Sequence, residues 1–455
     1  MCKHMWRPIN RHLRPNSSCW HEFVANSKCN PFSNILPRLS ISTLGSAVPT
    51  TPHEPSLREE LASSSIRSLF RFLSEPSMNG KLTKRRPVQP AQARRLSSAA
   101  DHTPRAAKSF GRLYRSNLVH TNDIASLSAA GLDYGLKSTF LSALNTTEKL
   151  RIFDLTTRAS RELHRWAAKY PLIRRVRVWP LSLSVAAAAP FVQASNLVSM
   201  ARMNLWVFTI DDLFDEEIVP FAELKRRVTR YHDILAGASY DPKRDRDTLV
   251  LALQDIRDDL ATYPLFQALQ NEWADAISGT LNAMLREYEW RSFDREGDRA
   301  AELPSYEAYC SYGLYSIGGP PHIWTTLIAI GDASLLAQLP RIKELERTAS
   351  LCIRLANDLQ SHSRELKEGK INSIVIRQRE AMQQGYPADT ALNMAHRAVQ
   401  EHIQRLLNHC TLLRQQGRTA TGQPEQAISD IARFVCDFYK HHDYHNFTTG
   451  SARSS

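Results

Sequence analysis

The stretch NDLQSHSRE, Asn357–Glu365, lies inside a run from Arg341 to Glu368 that holds neither proline nor glycine. Pro340 precedes that run and Gly369 follows it, the usual start and stop of a helix. On a helix, Asn357, Ser361 and Glu365 fall at i, i+4 and i+8 and share one face. The stripe offers an amide oxygen, a hydroxyl and a carboxylate. These are hard donors, suited to Mg²⁺ rather than to zinc or copper. Taken singly, each residue is equally at home on a solvated helix face.

A second stretch changes that balance. DDLFDEE, Asp211 to Glu217, closes an apolar segment that runs from Ala194 to Ile210. Asn204, Phe208, Asp211 and Asp215 fall at i, i+4, i+7 and i+11, one continuous stripe with an aromatic ring a turn below two carboxylates. One acidic cluster at a helix end is often only a solvated terminus. Two clusters with metal-ligand spacing, each on a helix, point together to one shared site.

These stretches resemble the two metal motifs of the class I terpene cyclases. That family carries an Asp-rich motif, DDxxD or DDxxE, and an NSE motif, ND(L/I)xSxxxE, on facing helices. Here they read Asp211, Asp212, Asp215 and Asn357, Asp358, Ser361, Glu365. Gly369 and Asn372 are similar to the short tail that often follows the NSE motif. The resemblance spans roughly residues 115–447 and is specific at the two motifs. It implies an all-α fold, a single-domain class I terpenoid synthase helical bundle. It also implies three Mg²⁺ ions clamped between the protein and the diphosphate of a prenyl diphosphate. Asp211 and Asp215 would hold two ions, and Asn357, Ser361 and Glu365 the third. Asp212 is expected to support rather than ligate. Asp358 points roughly 100° away from the NSE stripe and stands behind the ligands.

The same resemblance assigns the carbocation end. Ring faces stabilise positive charge, and Phe208 is the best-spaced ring. Gly318 and Gly319 permit a helix break where the family exposes backbone carbonyls, flanked by Tyr312, Tyr315 and Trp324. Phe208, Tyr315 and Gly318 are therefore the catalytic candidates. The sequence departs from the family in two places. An arginine that senses diphosphate is expected near residue 311, yet no Arg or Lys lies between Arg299 and Arg341, and Gly313 or Leu314 stands there instead. Arg291, Arg354 or Lys370 would have to substitute. The C-terminal Arg-Tyr pair is replaced by FYKHHDYHN, residues 438–446, with Lys440, Tyr444 and His445. Arg354, Lys370 and Tyr444 are thus the diphosphate-binding candidates.

Composition agrees with this reading and removes others. The net charge of +12 divides unevenly: residues 1–110 hold 17 Lys and Arg against 6 Asp and Glu, and the rest hold 41 against 40. The basicity belongs to a Ser-, Pro- and Arg-rich leader, so no nucleic-acid surface is expected on the folded part. The leader, residues 1–110, reads as mostly disordered. It is a targeting leader, a regulatory tail or the product of an upstream start. Residues 111–447 form the helical domain and 448–455 a disordered tail. Seven cysteines without a CxxC indicate neither a zinc site nor a disulfide framework. No apolar run is long enough to span a membrane. The cytoplasm is the expected location, with organelle targeting by the leader as the alternative.

Helical segments are predicted at about 148–169, 191–214, 221–236, 248–262, 265–291, 322–331, 388–415 and 425–441. A further helix, capped by Ser305, leads into the Gly-Gly break. RRVRVWP at 174–180 reads as a connector, and DIRDD at 255–259 as a solvated face. The expected activity is Mg²⁺-dependent ionisation of a linear prenyl diphosphate and cyclisation of its cation. Farnesyl diphosphate is preferred, with geranylgeranyl diphosphate next. The alternatives are an all-α prenyltransferase, which would need a second Asp-rich motif, and a catalytically silent helical binding protein.

Overall fold

A computed structural model of the chain describes residues 137–215, 219–295 and 303–444, with the side chains of 290–295 excepted. The leader, the 448–455 tail, His445 and the side chain of Arg291 lie outside the described residues. The helices are α1 Thr139–Ser142, α2 Thr146–Ala167, α3 Val178–Ala188, α4 Ala194–Asp215, α5 Phe221–Leu235, α6 Thr248–Leu260, α7 Phe266–Arg295, α8 Tyr306–Ser316, α9 Gly319–Ile330, α10 Leu339–Lys367, α11 Ser373–Gln383, α12 Ala388–Gln415 and α13 Gln423–Tyr439. Short 3₁₀ turns occupy Arg175–Arg177 and Ala333–Gln338. No strand occurs among the described residues, and the fold is all-α. None of their helices is long and apolar enough to cross a membrane.

Two helices that the sequence pattern hides are present. RRVRVWP is not a plain connector: Val178 opens α3, and Pro180 sits in its first turn, where a missing N–H costs nothing. Helix α11 begins after Asn372, whose side chain caps it by accepting from the Ile374 N–H at 2.9 Å. The cap of α2 is Asn145, in a reciprocal box with Glu148, rather than Thr146 or Thr147. Ser305 caps α8 as predicted, accepting from the Ala308 N–H at 3.2 Å.

Helix α4 is apolar on nearly every side because it runs through the interior. It packs against α2, α3, α6, α7 and α9. Its Trp206 is fully buried, with its indole N–H donating to the Leu249 carbonyl at 2.9 Å. Truncating such an indole to alanine costs about 3–5 kcal/mol. DIRDD is not a solvated face. Asp255 accepts from the Trp166 N–H at 2.7 Å and the Tyr170 hydroxyl at 2.8 Å. Asp259 accepts from Ser199 and pairs with Arg202 at 2.8 Å. These carboxylates tie α6 to α2 and α4.

Helix α10 packs against α8, α9, α12 and α13, and α9 touches both α4 and α10. The junction between α8 and α9 sets the geometry of the space between them. Gly318 has φ +73°, and a Cβ there would lie 2.2 Å from Val207 Cγ1 of α4. A Cβ on Gly319 would lie 2.7 Å from Ser350 Oγ of α10. Only glycine allows this turn while both long helices press in from either side.

Candidate active site

The last turns of α4 and the middle of α10 open onto one cleft of about 740 Å³, its mouth included. Asp211, Asp215 and Phe208 line it from α4, and Asn357, Glu365 and Arg354 from α10. Ser316 and Ile317 of the α8–α9 junction, Glu287 of α7, and Lys370 complete the wall. A second cavity of about 440 Å³ shares Val207, Phe208, Ile317 and Tyr439 with the first. It continues past Gly318, Gly319 and Tyr444 among aliphatic side chains. A polar mouth thus leads into an apolar chamber.

The electrostatics of the mouth are those of a place short of positive charge. Burial raises the Asp211 carboxyl well above the usual range, and Asp215 and Asp212 push it further, against Lys370 and Arg177. Lys370 Nζ reaches Asp215 at 2.9 Å. Burial and Asp358 raise Glu365, which also accepts from Asn372 Nδ2 at 2.8 Å. The buried Tyr439 phenol lies beside Asn357 and in the field of Asp211, so it stands between the two motifs. No three His, Cys, Asp or Glu side chains among the described residues form a closed metal cage. The donors instead form two open half-shells of hard oxygens. Such half-shells fit Mg²⁺ bound partly by water and by substrate phosphate.

Supporting contacts hold both motifs. Asp212 is turned away from the mouth into a fork with Arg177, at 2.7 and 2.8 Å, with Arg174 at 3.2 Å. Arg177 also donates to the Phe208 carbonyl at 3.0 Å and the Tyr444 carbonyl at 3.3 Å. Asp358 accepts from the Tyr309 hydroxyl at 2.9 Å, from Arg354 Nε at 3.1 Å and from the Ser373 N–H at 3.2 Å. Burial still pushes its carboxyl up.

The structure brings most of the predicted residues together and sets three apart. Ser361 is buried, its hydroxyl donating to the Asn357 carbonyl at 2.8 Å, and it does not line the cleft. Tyr444 lies in the apolar chamber rather than at the mouth, stacked on Phe438 at 4.3 Å and 5.3 Å from the Phe208 ring. Tyr315 lines neither cavity, and its ring packs against Gly279 of α7. Gly318 lies on the chamber wall.

Arg354 occupies the groove where the sequence lacks an arginine on α8. A Cβ on Gly313 would lie 3.1 Å from Arg354 Cγ, so the α10 side chain runs across the bare backbone of Gly313. Its guanidinium reaches Ser316 at 3.3 Å and Glu287 at 3.6 Å. Sequence reasoning missed Arg364, which lines the cleft and holds Asp443 at 2.5 Å. Its position at i+7 from Asn357 was the available signal.

Comparison with known proteins agrees with this geometry. Residues 202–405 match terpene synthase family 2, C-terminal metal binding. The chain is 26% identical to dolabradiene synthase of Zea mays over 62% of its length and 33% of the relative's. It is 26% identical to the (+)-T-muurolol synthase of Streptomyces clavuligerus, over 43% of its length and 46% of the relative's. The chain therefore spans less than half the length of either relative. The crystal structure of the SVS_A2 protein from ancestral sequence reconstruction superposes with a TM-score of 0.52 at 18% identity, covering 64% of this chain and 86% of the other. That likeness concerns the fold. The segment that carries both acidic stripes, residues 202–405, is thus the part of this chain that matches the terpene synthase family.

Proposed function

We propose that this chain is a Mg²⁺-dependent cyclase of a linear prenyl diphosphate, using Asp211, Asp215, Asn357 and Glu365 as metal ligands, with Ser361 joining them once its hydroxyl leaves the Asn357 carbonyl. The observation that carries the reading is that α4 and α10 present their acidic stripes to one cleft, directly above an aromatic chamber. Mg²⁺, up to three ions between these oxygens and the diphosphate, would supply the charge that makes diphosphate a leaving group. Arg354, Arg364 and Lys370 at the mouth orient the diphosphate and balance its charge as the C–O bond breaks. Tyr439, beside Asn357 on the cleft wall, keeps that ligand turned to the cleft. Phe208, Tyr439 and Tyr444 give the cation ring faces, and the aliphatic wall excludes water. Tyr444 acts on the hydrocarbon rather than on the diphosphate.

Farnesyl diphosphate is the substrate we prefer, with geranylgeranyl diphosphate next. The Streptomyces clavuligerus relative is named as a cyclase of farnesyl diphosphate. The test is to incubate the full chain with Mg²⁺ and geranyl, farnesyl or geranylgeranyl diphosphate and to analyse the organic extract by mass spectrometry. Cyclic terpenes with release of diphosphate are expected. Longer diphosphates formed only with added isopentenyl diphosphate would make the chain a prenyltransferase. A folded protein that turns over none of them would be a binding protein.

A further inference from the structure

The apolar chamber contains one basic side chain, His322 of α9. It lies one turn beyond Gly318, on the same face of the chain. It is 6% exposed, and neither ring nitrogen has a hydrogen-bond partner among the described residues. An imidazole held in this way is a poor packing choice. Leucine or phenylalanine would fill the same space without stripping water from two polar nitrogens. What surrounds it is aliphatic and aromatic: Leu181, Ile353, Ile431, Val435 and the rings of Phe208 and Tyr444.

We infer that His322 is the base that ends the reaction, taking a proton from the final carbocation so that the product leaves as a hydrocarbon. This rests on the cyclase reading. The step balances within the chamber. A C–H bond beside the cationic carbon breaks, and its electron pair becomes the new double bond. The proton passes to a ring nitrogen lone pair, giving an imidazolium. When product leaves and water enters, the proton passes to water and the base is restored. Burial pushes the His322 ring down to about 4, so at neutral pH its lone pair is free before each turnover. Among the described residues, His322 is also the only Lys, Arg or His side chain on the wall of that chamber. The neighbouring Asn204 and Ser184 offer polarity without basicity.

The test separates ionisation from termination. Diphosphate release and product profile are measured together for the full chain, for His322→Gln, and for His322→Ala with and without added imidazole. His322→Gln keeps a polar side chain of similar reach and removes the basic nitrogen. Diphosphate release should change little in these variants. The share of the parent hydrocarbon should fall by about a hundredfold relative to other ends of the same cation, the low range for loss of a general base. Imidazole should restore the parent product in the Ala variant. An unchanged product profile in both variants would overturn the inference. Wild-type turnover in H₂¹⁸O gives a reading that needs no variant. A hydrocarbon without the label supports the inference, and an ¹⁸O-labelled alcohol as main product overturns it. If the wild type releases no diphosphate from any prenyl diphosphate, the cyclase reading itself fails, which is a different result.

Discussion

The mouth of the cleft and the chamber beneath it are built on opposite rules. At the mouth, charge is met by charge: Lys370 with Asp215, Arg354 with Asp358 and Arg364 with Asp443. In the chamber, His322 has no such partner among the described residues, and the wall around it is mainly apolar, with Asn204 and Ser184 as uncharged polar groups. On the proposed reading, the first region receives a dense anion and its metal ions, and the second leaves a reactive cation undisturbed. Ionisation and termination would then fall to separate halves of one cavity, which share Phe208 and Tyr439.

Six substitutions would sharpen or break that division. Asp211→Ala or Asn357→Ala should lower diphosphate release by about a thousandfold, the upper range for loss of a preorganised electrostatic group. The helical circular dichroism should remain unchanged. Wild-type release from either variant would remove the metal site from the mouth. Next in size is Glu346, buried on α10 and held by Ser350 at 3.2 Å. Burial raises its carboxyl from 4.5 to about 7, against Ser350, Arg347 and Lys343. The folded state therefore holds a proton that the unfolded state gives up first. Its contribution to stability is present below about pH 4.5 and is lost as pH rises through about 7. Denaturant unfolding at pH 4.5 and pH 8 should show Glu346→Gln gaining on the wild type at the higher pH, by on the order of 3 kcal/mol. Parallel pH curves for the two proteins would refute the assignment.

A smaller effect is expected at the junction. Gly318→Ala meets Val207 Cγ1 at 2.2 Å at a positive φ. It should cost about 1–3 kcal/mol of stability by thermal unfolding, and a companion Val207→Ala should return part of that loss. If the two changes are additive, the close approach is not what fixes the break. Smallest is Arg364→Ala. In its pair with Asp443 the Arg364 side chain is 36% exposed, and pairs open to water contribute about 0–1 kcal/mol. A several-fold rise in KM for the diphosphate substrate with little loss of stability is expected from steady-state kinetics.

The mouth was far more legible in the sequence than the chamber, and the reason is physical. Oxygen ligands must recur at helical spacing, so the stripes Asp211/Asp215 and Asn357/Glu365 can be read directly from residue number. Gly369, with φ +66°, and Gly318 mark a stop and a break because no other residue is comfortable there. The chamber is lined by single residues from several helices, and nothing in the spacing around His322 or Ser184 announces a shared wall. Arg177 was hidden for the same reason. RRVRVWP reads as an exposed basic link until Asp212, 35 positions away, is seen to neutralise it. Tyr315 shows the converse error, since nearness to Gly318 in sequence does not turn its ring toward the cavity. Among the described residues, DIRDD looked solvated because its partners Trp166 and Ser199 lie on other helices and Tyr170 just past the end of α2.

The passage of Arg354 over Gly313 has a consequence for how this site can change. A guanidinium restored on α8 at that position would need the very volume that Arg354 fills, since even a methyl there comes within 3.1 Å of it. A side chain gained at Gly313 would first have to move Arg354 aside, so the two positions should be coupled rather than independent.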